Sequence, residues 1–182
     1  LPELAQVLPA LDRLAVQLAA VTGAQSDRMT RDHGWRFMTV GRLLERLIGM
    51  SAQLGVFASS GALPLAAGMQ MLLELFDSAI TFRARYQRHE DLLGLTDLLV
   101  LDSANPRSLS GVLRRLRTEL GKLPGGDDFI AALLARLPAA GAGIELHDLR
   151  GADERQVAQA LHTLCARLGF SGAGLADDLG HR

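Results

Sequence analysis

Residues 33–58 restrict the fold of this chain more than any other segment. Drawn as an α-helix, this segment carries apolar side chains on nearly all of its sides. A helix that is apolar on nearly all sides is usually packed against several neighbours. We therefore predict that a long helix from about His33 to Ala58 is the central helix of a bundle. Its main stripe comprises Phe37, Val40, Leu44, Leu47, Ile48 and Ser51, and its opposite side carries Trp35, Met38, Met50 and Phe57.

The rest of the sequence repeats apolar residues at spacings of three and four, which is the pattern of helices with one buried face. Leucine and alanine dominate the aliphatic content, while β-branched and aromatic residues are scarce, and this balance favours helices over strands. We predict an all-α fold, a multi-helix bundle of about six to seven helices. Besides the central helix, the segments are Leu4–Gly23 with Pro9 near its start, Leu65–His89, Leu92–Leu101, a helix starting at Asn105-Pro106, Phe129–Leu137 and Val157–Leu168, with a frayed tail from Gly169.

The patterns also predict which side of some helices is buried. The run Leu92–Leu101 fits a helix or a strand by periodicity alone, and its helical neighbours favour a helix. In the third helix we expect burial of Met69, Leu72, Leu73, Phe76 and Ile80. In the helix after Pro106 we expect burial of Leu109, Val112, Leu113, Leu116 and Leu120, with Arg114, Arg115 and Arg117 pointing mostly to solvent.

Charge and cysteine usage narrow the class of protein. The chain has 182 residues and a formal net charge of −1, and its arginines are interspersed with acids, so we expect no nucleic-acid partner. The single cysteine, Cys165, excludes an internal disulfide and fits a reducing compartment. It shares the apolar register of Leu161 and Leu168, which predicts a buried, unreactive thiol. Histidines and acids are dispersed, so we expect neither a bound metal nor another cofactor.

We expect a cytoplasmic protein that does not enter a membrane. Leu54–Leu73 contains no charged residue, but Ser59, Ser60, Gly61 and Pro64 at its centre predict a turn between two buried helices. The first apolar run is interrupted by Glu3, Asp12 and Arg13, so it does not resemble a signal peptide. Because the chain begins with Leu1 rather than Met, we expect it to be either a processed product or a piece of a longer protein, and we favour the second.

A charged cluster on the central helix is the first candidate site. Arg42, Glu45 and Arg46 lie at positions i, i+3 and i+4 and therefore share one side of a helix, with Trp35 one to two turns away. Charges among large apolar residues more often form a satisfied structural network or a site than a solvated face. We rank the structural network first, a functional pocket second and a solvated face third. The network would hold Glu45 between the two arginines, partly buried.

The second candidate site precedes the helix that starts near Pro106. Asp102, Asn105, Arg107 and Ser108 place polar groups at a helix N-terminus, where anions bind readily. The plainer interpretation is capping, in which Asn105 is the N-cap with Pro106 as the first helical residue, and Asp102 and Ser108 accept from other free N–H groups. Capping is the stronger hypothesis, with Arg107 as a candidate contact for a phosphate or carboxylate.

Two segments together resemble the bacterial alpha-E domain. They are MTRDHGWRFMTVGRLLER at residues 29–46 and LLVLDSANPRSL at residues 98–109. The resemblance implies an all-helical domain built of two related halves, of which this chain is similar to the second. It covers residues 1–123, so residues 124–182 are expected to be additional helices packed on that core. It also implies that Gly41, Arg42, Glu45 and Arg46 belong to the family signature.

The resemblance further implies a functional context. Alpha-E domains are fused to, or encoded beside, circularly permuted ATP-grasp proteins and transglutaminase-like proteins, so the partner expected here is an ATP-grasp-like domain. Our leading hypothesis is a non-catalytic helical accessory domain that serves a peptide ligase or a peptide-modification system. The alternative is a small-molecule-binding or enzymatic domain with a polar pocket around the central helix. The isolated chain is also expected to form a homodimer through an apolar patch near Trp35, Met38, Met50 and Phe57.

Overall fold

A computed structural model describes residues 4–86, 91–138, 144 and 146–180, and within them every regular element is helical. This confirms the all-α fold. The described residues form nine helices, and the fifth continues directly into a π-helical turn over Asp97–Leu101. The bounds are α1 Leu4–Arg28, α2 His33–Ser59, α3 Ala66–Leu75, α4 Ala79–Tyr86, α5 Leu92–Thr96, α6 Leu109–Leu120, α7 Asp127–Ala135, α8 Leu146–Leu149 and α9 Glu154–Gly180.

The predicted number of helices was too low for two reasons: the segment predicted as one helix over Leu65–His89 is broken in two, and the short helix α8 was not predicted. The break lies at Asp77, whose φ of 49° is left-handed and ends the helical path. Ser78 follows and donates its backbone N–H to the carbonyl oxygen of Leu73. The chain then turns into α4, which no longer continues the apolar face of α3. Ile80 is therefore 84% exposed, although the periodicity placed it in the core.

Contacts divide the chain into two compact units, residues 1–36 and residues 37–182. The division differs from the predicted domain boundary at 123/124, which came from the family resemblance and stays a prediction. In the first unit, α1 continues through Gly23 to Arg28, since a glycine weakens a helix without by itself ending it. Pro9 lies inside this helix.

Helix α1 exposes large apolar side chains along its length. Leu8, Leu11, Leu14, Val16, Leu18 and Val21 are each about half exposed or more. Residues 7–25 are long and apolar enough to cross a membrane by length and composition, and none of this stretch is buried. The prediction that the protein does not enter a membrane thus stays a prediction. The other apolar candidate, Leu54–Leu73, contains the end of α2, a turn and most of α3, as predicted.

The centre of the second unit is the segment Leu92–Leu101, and the prediction that α2 is central was wrong. This segment contacts α3, α4, α6, α8 and α9. Leu95, Leu98, Leu99 and Val100 within it are fully buried. The run is short and apolar on every side, as expected for an element surrounded by others.

Helix α2 instead buries one broad face and exposes the other. Val40, Leu44, Leu47 and Ser51 of the predicted stripe are buried, whereas Phe37 is 43% exposed. Of the residues predicted to form an exposed patch, Met50 is only 6% exposed and Phe57 packs against the core. Among the described residues, six exposed large apolar side chains lie on α1, and Phe37 and Val56 of α2 are exposed as well.

Helix α9 covers part of α2 and extends beyond the predicted end of the last helix. The chain is helical from Gly169 to Gly180, the segment for which a frayed tail was expected. Small residues let the two helices approach closely: an ideal Cβ built on Gly172 would lie 2.9 Å from Cγ1 of Ile48. A Cβ on Gly55 would lie 3.5 Å from the Cβ of Cys165.

The packing of α9 predicts that the thiol of Cys165 is unreactive in the folded protein. Cys165 is 2% exposed, which confirms the predicted burial, and burial raises the pKa of its thiol to about 12. At pH 8 such a thiol is ionised to only about one part in 10⁴, and the thiolate is the reactive form. A thiol-reactive disulfide reagent should therefore leave the native protein unmodified and label one thiol per chain in guanidinium chloride. Fast stoichiometric labelling of the native protein would contradict this burial.

Candidate functional site

The charged cluster predicted on α2 is not buried. The side chains of Arg42, Glu45 and Arg46 are all exposed, so the expected partly buried cluster was wrong. Within the described residues, no ion pair joins Glu45 to either arginine. The reason is the one-sided burial of α2, whose outer face carries this part of the sequence. Of the three interpretations, network, pocket and solvated face, the solvated face agrees with the exposure of Arg42 and Glu45.

Trp35, the fourth residue of this candidate site, lies in the first compact unit and is half-buried. The guanidinium group of Arg31 lies 5.5 Å from the centroid of its ring, within the range of a cation–π contact. Its backbone N–H donates to a carboxylate oxygen of Asp32, 3.0 Å away, as in a helix N-cap. Trp35 thus belongs to the start of α2.

The loop over residues 102–108 provides the N-cap of α6, and the capping residue is Ser108. The hydroxyl oxygen of Ser108 accepts from the backbone N–H of Gly111 at 2.8 Å, and the hydroxyl donates to the carbonyl oxygen of Asp102 at 2.5 Å. This confirms capping by Ser108. The prediction that Asn105 is the N-cap was wrong, because the helix begins at Leu109, three residues after Pro106.

Asn105 instead ties the loop to the central segment. Its side-chain amide donates to the carbonyl oxygen of Leu98 at 2.9 Å, and its amide oxygen accepts from the backbone N–H of Arg107 at 3.0 Å. Asn105 is buried, so both bonds satisfy groups that are shielded from water. The loop is therefore fixed to the end of the π-helical turn.

Two side chains of α4 hold the same turn from the other side. The Arg85 guanidinium pairs with Asp102 at 2.5 Å, and the hydroxyl of Tyr86 donates to Asp97 at 2.5 Å. Partial burial raises the pKa of Asp102, but the Arg85 guanidinium and two backbone N–H groups outweigh it, so the net pKa lies below the usual value. Burial and the bond to Asp97 raise the pKa of Tyr86 to about 12. Both ends of the turn are therefore anchored.

Arg107, the predicted anion contact, already has a partner within the chain. Its guanidinium nitrogen Nη2 lies 2.7 Å from a carboxylate oxygen of Asp77, in the turn between α3 and α4. Both side chains are largely exposed, so the pair contributes little stability. Its charge is nevertheless offset by Asp77, so Arg107 is not the strongest anion contact in this region.

A cleft of about 460 Å³ joins the two segments that the sequence analysis singled out. Helix α2 contributes Arg46, the loop contributes Ala104 and Pro106, and α6 contributes the remaining side. All of the residues that line the cleft lie in the second unit. The cleft is lined by Leu43, Arg46, Ala104, Pro106, Gly111, Val112, Arg114, Arg115 and Thr118.

The lining of this cleft carries three arginines and no acidic residue. Within the described residues, Arg46, Arg114 and Arg115 form no ion pair. Arg117 on the same helix behaves differently, because its Nη1 donates to the carbonyl oxygens of Leu134 in α7 and of Leu137 and Pro138 just after it. The prediction that Arg117 points mostly to solvent was therefore wrong, whereas Arg114 and Arg115 are exposed as expected.

Arg46 was predicted as a site residue from the sequence, whereas Arg114 and Arg115 were not. The sequence placed them correctly on the polar face of an amphipathic helix, and nothing in that local pattern indicates which other element this face meets. The useful signal was the pairing of the two signature segments, since both contribute to the cleft. Among the described residues, no three His, Cys, Asp or Glu side chains gather as a metal site would require.

Comparisons with known proteins agree with the resemblance. The model of the Alpha-E family, described as a predicted alpha-helical domain with a conserved ER motif, matches residues 3–182. The match extends well past residue 123, where the motifs alone ended the resemblance. Glu45-Arg46 on α2 fits the description, as does a second Glu-Arg pair at residues 154–155.

The similar proteins are mycobacterial and longer than this chain. Uncharacterised proteins of Mycobacterium bovis and of two Mycobacterium tuberculosis strains are each 32% identical to it over 110 residues. The matched segment covers 59% of this chain and 12% of each relative. No solved structure matches the chain.

The geometry of the cleft predicts that alanine is tolerated at Gly121, which follows α6, and not at Gly111, which lies within the helix. An ideal Cβ on Gly111 would lie 2.0 Å from the carbonyl oxygen of Asn105, a backbone atom held in place by the bonded loop. Gly111→Ala should therefore lower the free energy of unfolding by about 1–3 kcal/mol or more, measured by urea denaturation. Gly121→Ala is the control, since its Cβ would meet no atom closer than 3.6 Å. Equal stability of the two variants would show that the loop does not press against α6.

Proposed function

Because this chain belongs to the Alpha-E family, we propose that it is a non-catalytic helical accessory domain of a peptide-ligation or peptide-modification system. In this proposal its partner is an ATP-grasp-like domain, in the same chain or in a neighbouring protein, and a transglutaminase-like protein belongs to the same system. The observation that carries the proposal is the exposed apolar face of α1.

The exposed residues of α1 are arranged as a contact surface for another helix. Leu11, Leu14, Leu18 and Val21 follow one another at alternating spacings of three and four, which places them on one side. Each is about half exposed or more, so covering this side with a partner removes a continuous apolar strip from water. Contiguous exposed apolar surface of this kind marks interaction sites.

The size of the relatives supports the same proposal. The segment similar to this chain covers 12% of each mycobacterial relative, so those proteins contain a large amount of additional sequence. A helical domain that accompanies other regions has partners available at high local concentration. This supports a partner within the same system, and we propose that the ATP-grasp-like domain supplies the surface that covers α1.

A second candidate function is ligand binding, which the cleft beside Arg46 favours. Its volume of about 460 Å³ lies within the range of small-molecule sites. This function is compatible with an accessory role, because the cleft and α1 belong to different compact units.

A matched pair of substitutions on α1 tests the accessory role. We expect Leu14→Glu to weaken co-purification with an ATP-grasp-like partner by about tenfold or more, because it places a charge in the apolar strip. Ala20→Glu adds the same charge on the opposite side of the same helix, where Ala20 is also exposed, and should leave co-purification unchanged. Circular dichroism of both variants serves as the folding control.

Three outcomes would contradict the proposal. Wild-type protein that fails to co-purify has no such partner. A dimer seen by sedimentation and lost only in Leu14→Glu would assign the strip to a second copy of the chain. Flotation of the wild type with liposomes, lost only in Leu14→Glu, would assign it to a membrane.

A further inference from the structure

We propose that the cleft between α2, the 102–108 loop and α6 binds the phosphate group of a small molecule through Arg46, Arg114 and Arg115. This goes beyond the accessory role proposed above and does not depend on α1. It identifies a binding site and the chemical class of its ligand.

The first argument is the local balance of charge. Three guanidinium groups line one cleft that has no acidic residue in its lining, although the whole chain carries a net charge of −1. Two arginines in the neighbouring turns each have an acidic partner: Arg85 pairs with Asp102 and Arg107 with Asp77. Like charges placed close together repel, so a cluster without an internal counterion favours an external anion.

The second argument concerns which anion fits. A guanidinium group presents a rigid fork of N–H donors that matches carboxylate and phosphate oxygens. A carboxylate carries one negative charge and two acceptor oxygens, whereas a phosphate monoester carries close to two charges and three acceptor oxygens. Three arginines from two helices are therefore better matched by a phosphate group.

The third argument comes from the rest of the lining. Leu43, Pro106 and Val112 provide apolar surface beside the arginines, and the hydroxyl of Thr118 lies along the same side of α6. A cavity of about 460 Å³ is much larger than a phosphate group alone. The ligand we infer is thus a phosphorylated small molecule whose remaining part rests on this apolar surface.

Calorimetric titration at low ionic strength tests the site with pyrophosphate as the probe. We expect saturable binding by the wild type, weakened by about tenfold or more in Arg46→Ala and in Arg114→Ala/Arg115→Ala, because each loses charge-assisted hydrogen bonds. Arg42→Ala is the matched control: Arg42 lies one turn before Arg46, is also exposed and does not line the cleft. It should bind as the wild type does.

A variant that leaves every charge unchanged tests whether binding depends on the shape of the cleft or only on electrostatic attraction between the anion and the arginines. Ala104→Phe narrows the cleft without changing any charge and should also weaken pyrophosphate binding. Citrate, a tricarboxylate, serves as the competing anion, and vesicles containing phosphatidic acid present the same phosphate chemistry on a lipid. Binding to either phosphate source that is lost in the cleft variants supports the proposal, and the source shows whether the ligand is soluble or a lipid.

The proposal is overturned by any of three results. These are no saturable binding to either phosphate source, equal weakening by Arg42→Ala and Arg46→Ala, or tighter binding of citrate than of pyrophosphate. Thermal melting of each variant, unchanged within experimental error, excludes unfolding as the cause of lost binding. Co-purification through α1 is measured separately, so failure of one proposal does not decide the other.

Discussion

The bond from the Asn105 side chain to the carbonyl oxygen of Leu98 determines how the second unit is joined together. Leu98 lies in the π-helical turn at the end of the central segment, and the final carbonyl groups of a helix lack partners within it. Since a buried carbonyl group without a partner costs about 1–3 kcal/mol, this bond holds the loop firmly against the core. Ser108 then begins α6 from the same loop. The position of the cleft follows from these two residues.

The parts of the fold that the sequence could predict are those determined by local patterns. All five residues expected on the buried face of α6 are buried, because they form one periodic stripe that faces the core. The centre of the bundle could not be found in this way. Apolar residues on both sides of α2 suggested a central helix, yet the shorter run at Leu92–Leu101 has that position. Periodicity shows how much of a helix is apolar, and tertiary packing decides which helix is surrounded.

The same distinction applies at the site. Asn105 and Ser108 are both good capping residues, so the sequence alone could not decide between them. The predicted N-cap was wrong because the side chain of Asn105 bonds to the buried carbonyl group of Leu98, while Ser108 caps the helix. Arg114 and Arg115 were expected in solvent and are exposed. What the sequence could not give is that their face of α6 meets Arg46 of α2 across a cleft. Both segments that carry the family resemblance contribute residues to the lining of this cleft.

The exposed surfaces of the two units differ in chemistry, and this difference has a consequence for how each can act. The strip on α1 is apolar, so its contacts strengthen with buried area and depend little on salt. The cleft carries three exposed arginines, so its attraction for anions is long-ranged but screened over about 8 Å at physiological ionic strength. A ligand held only by exposed charges would bind weakly under those conditions. The apolar side chains of Leu43 and Val112 in the same cleft therefore matter, because they give a phosphorylated ligand contacts that salt does not weaken.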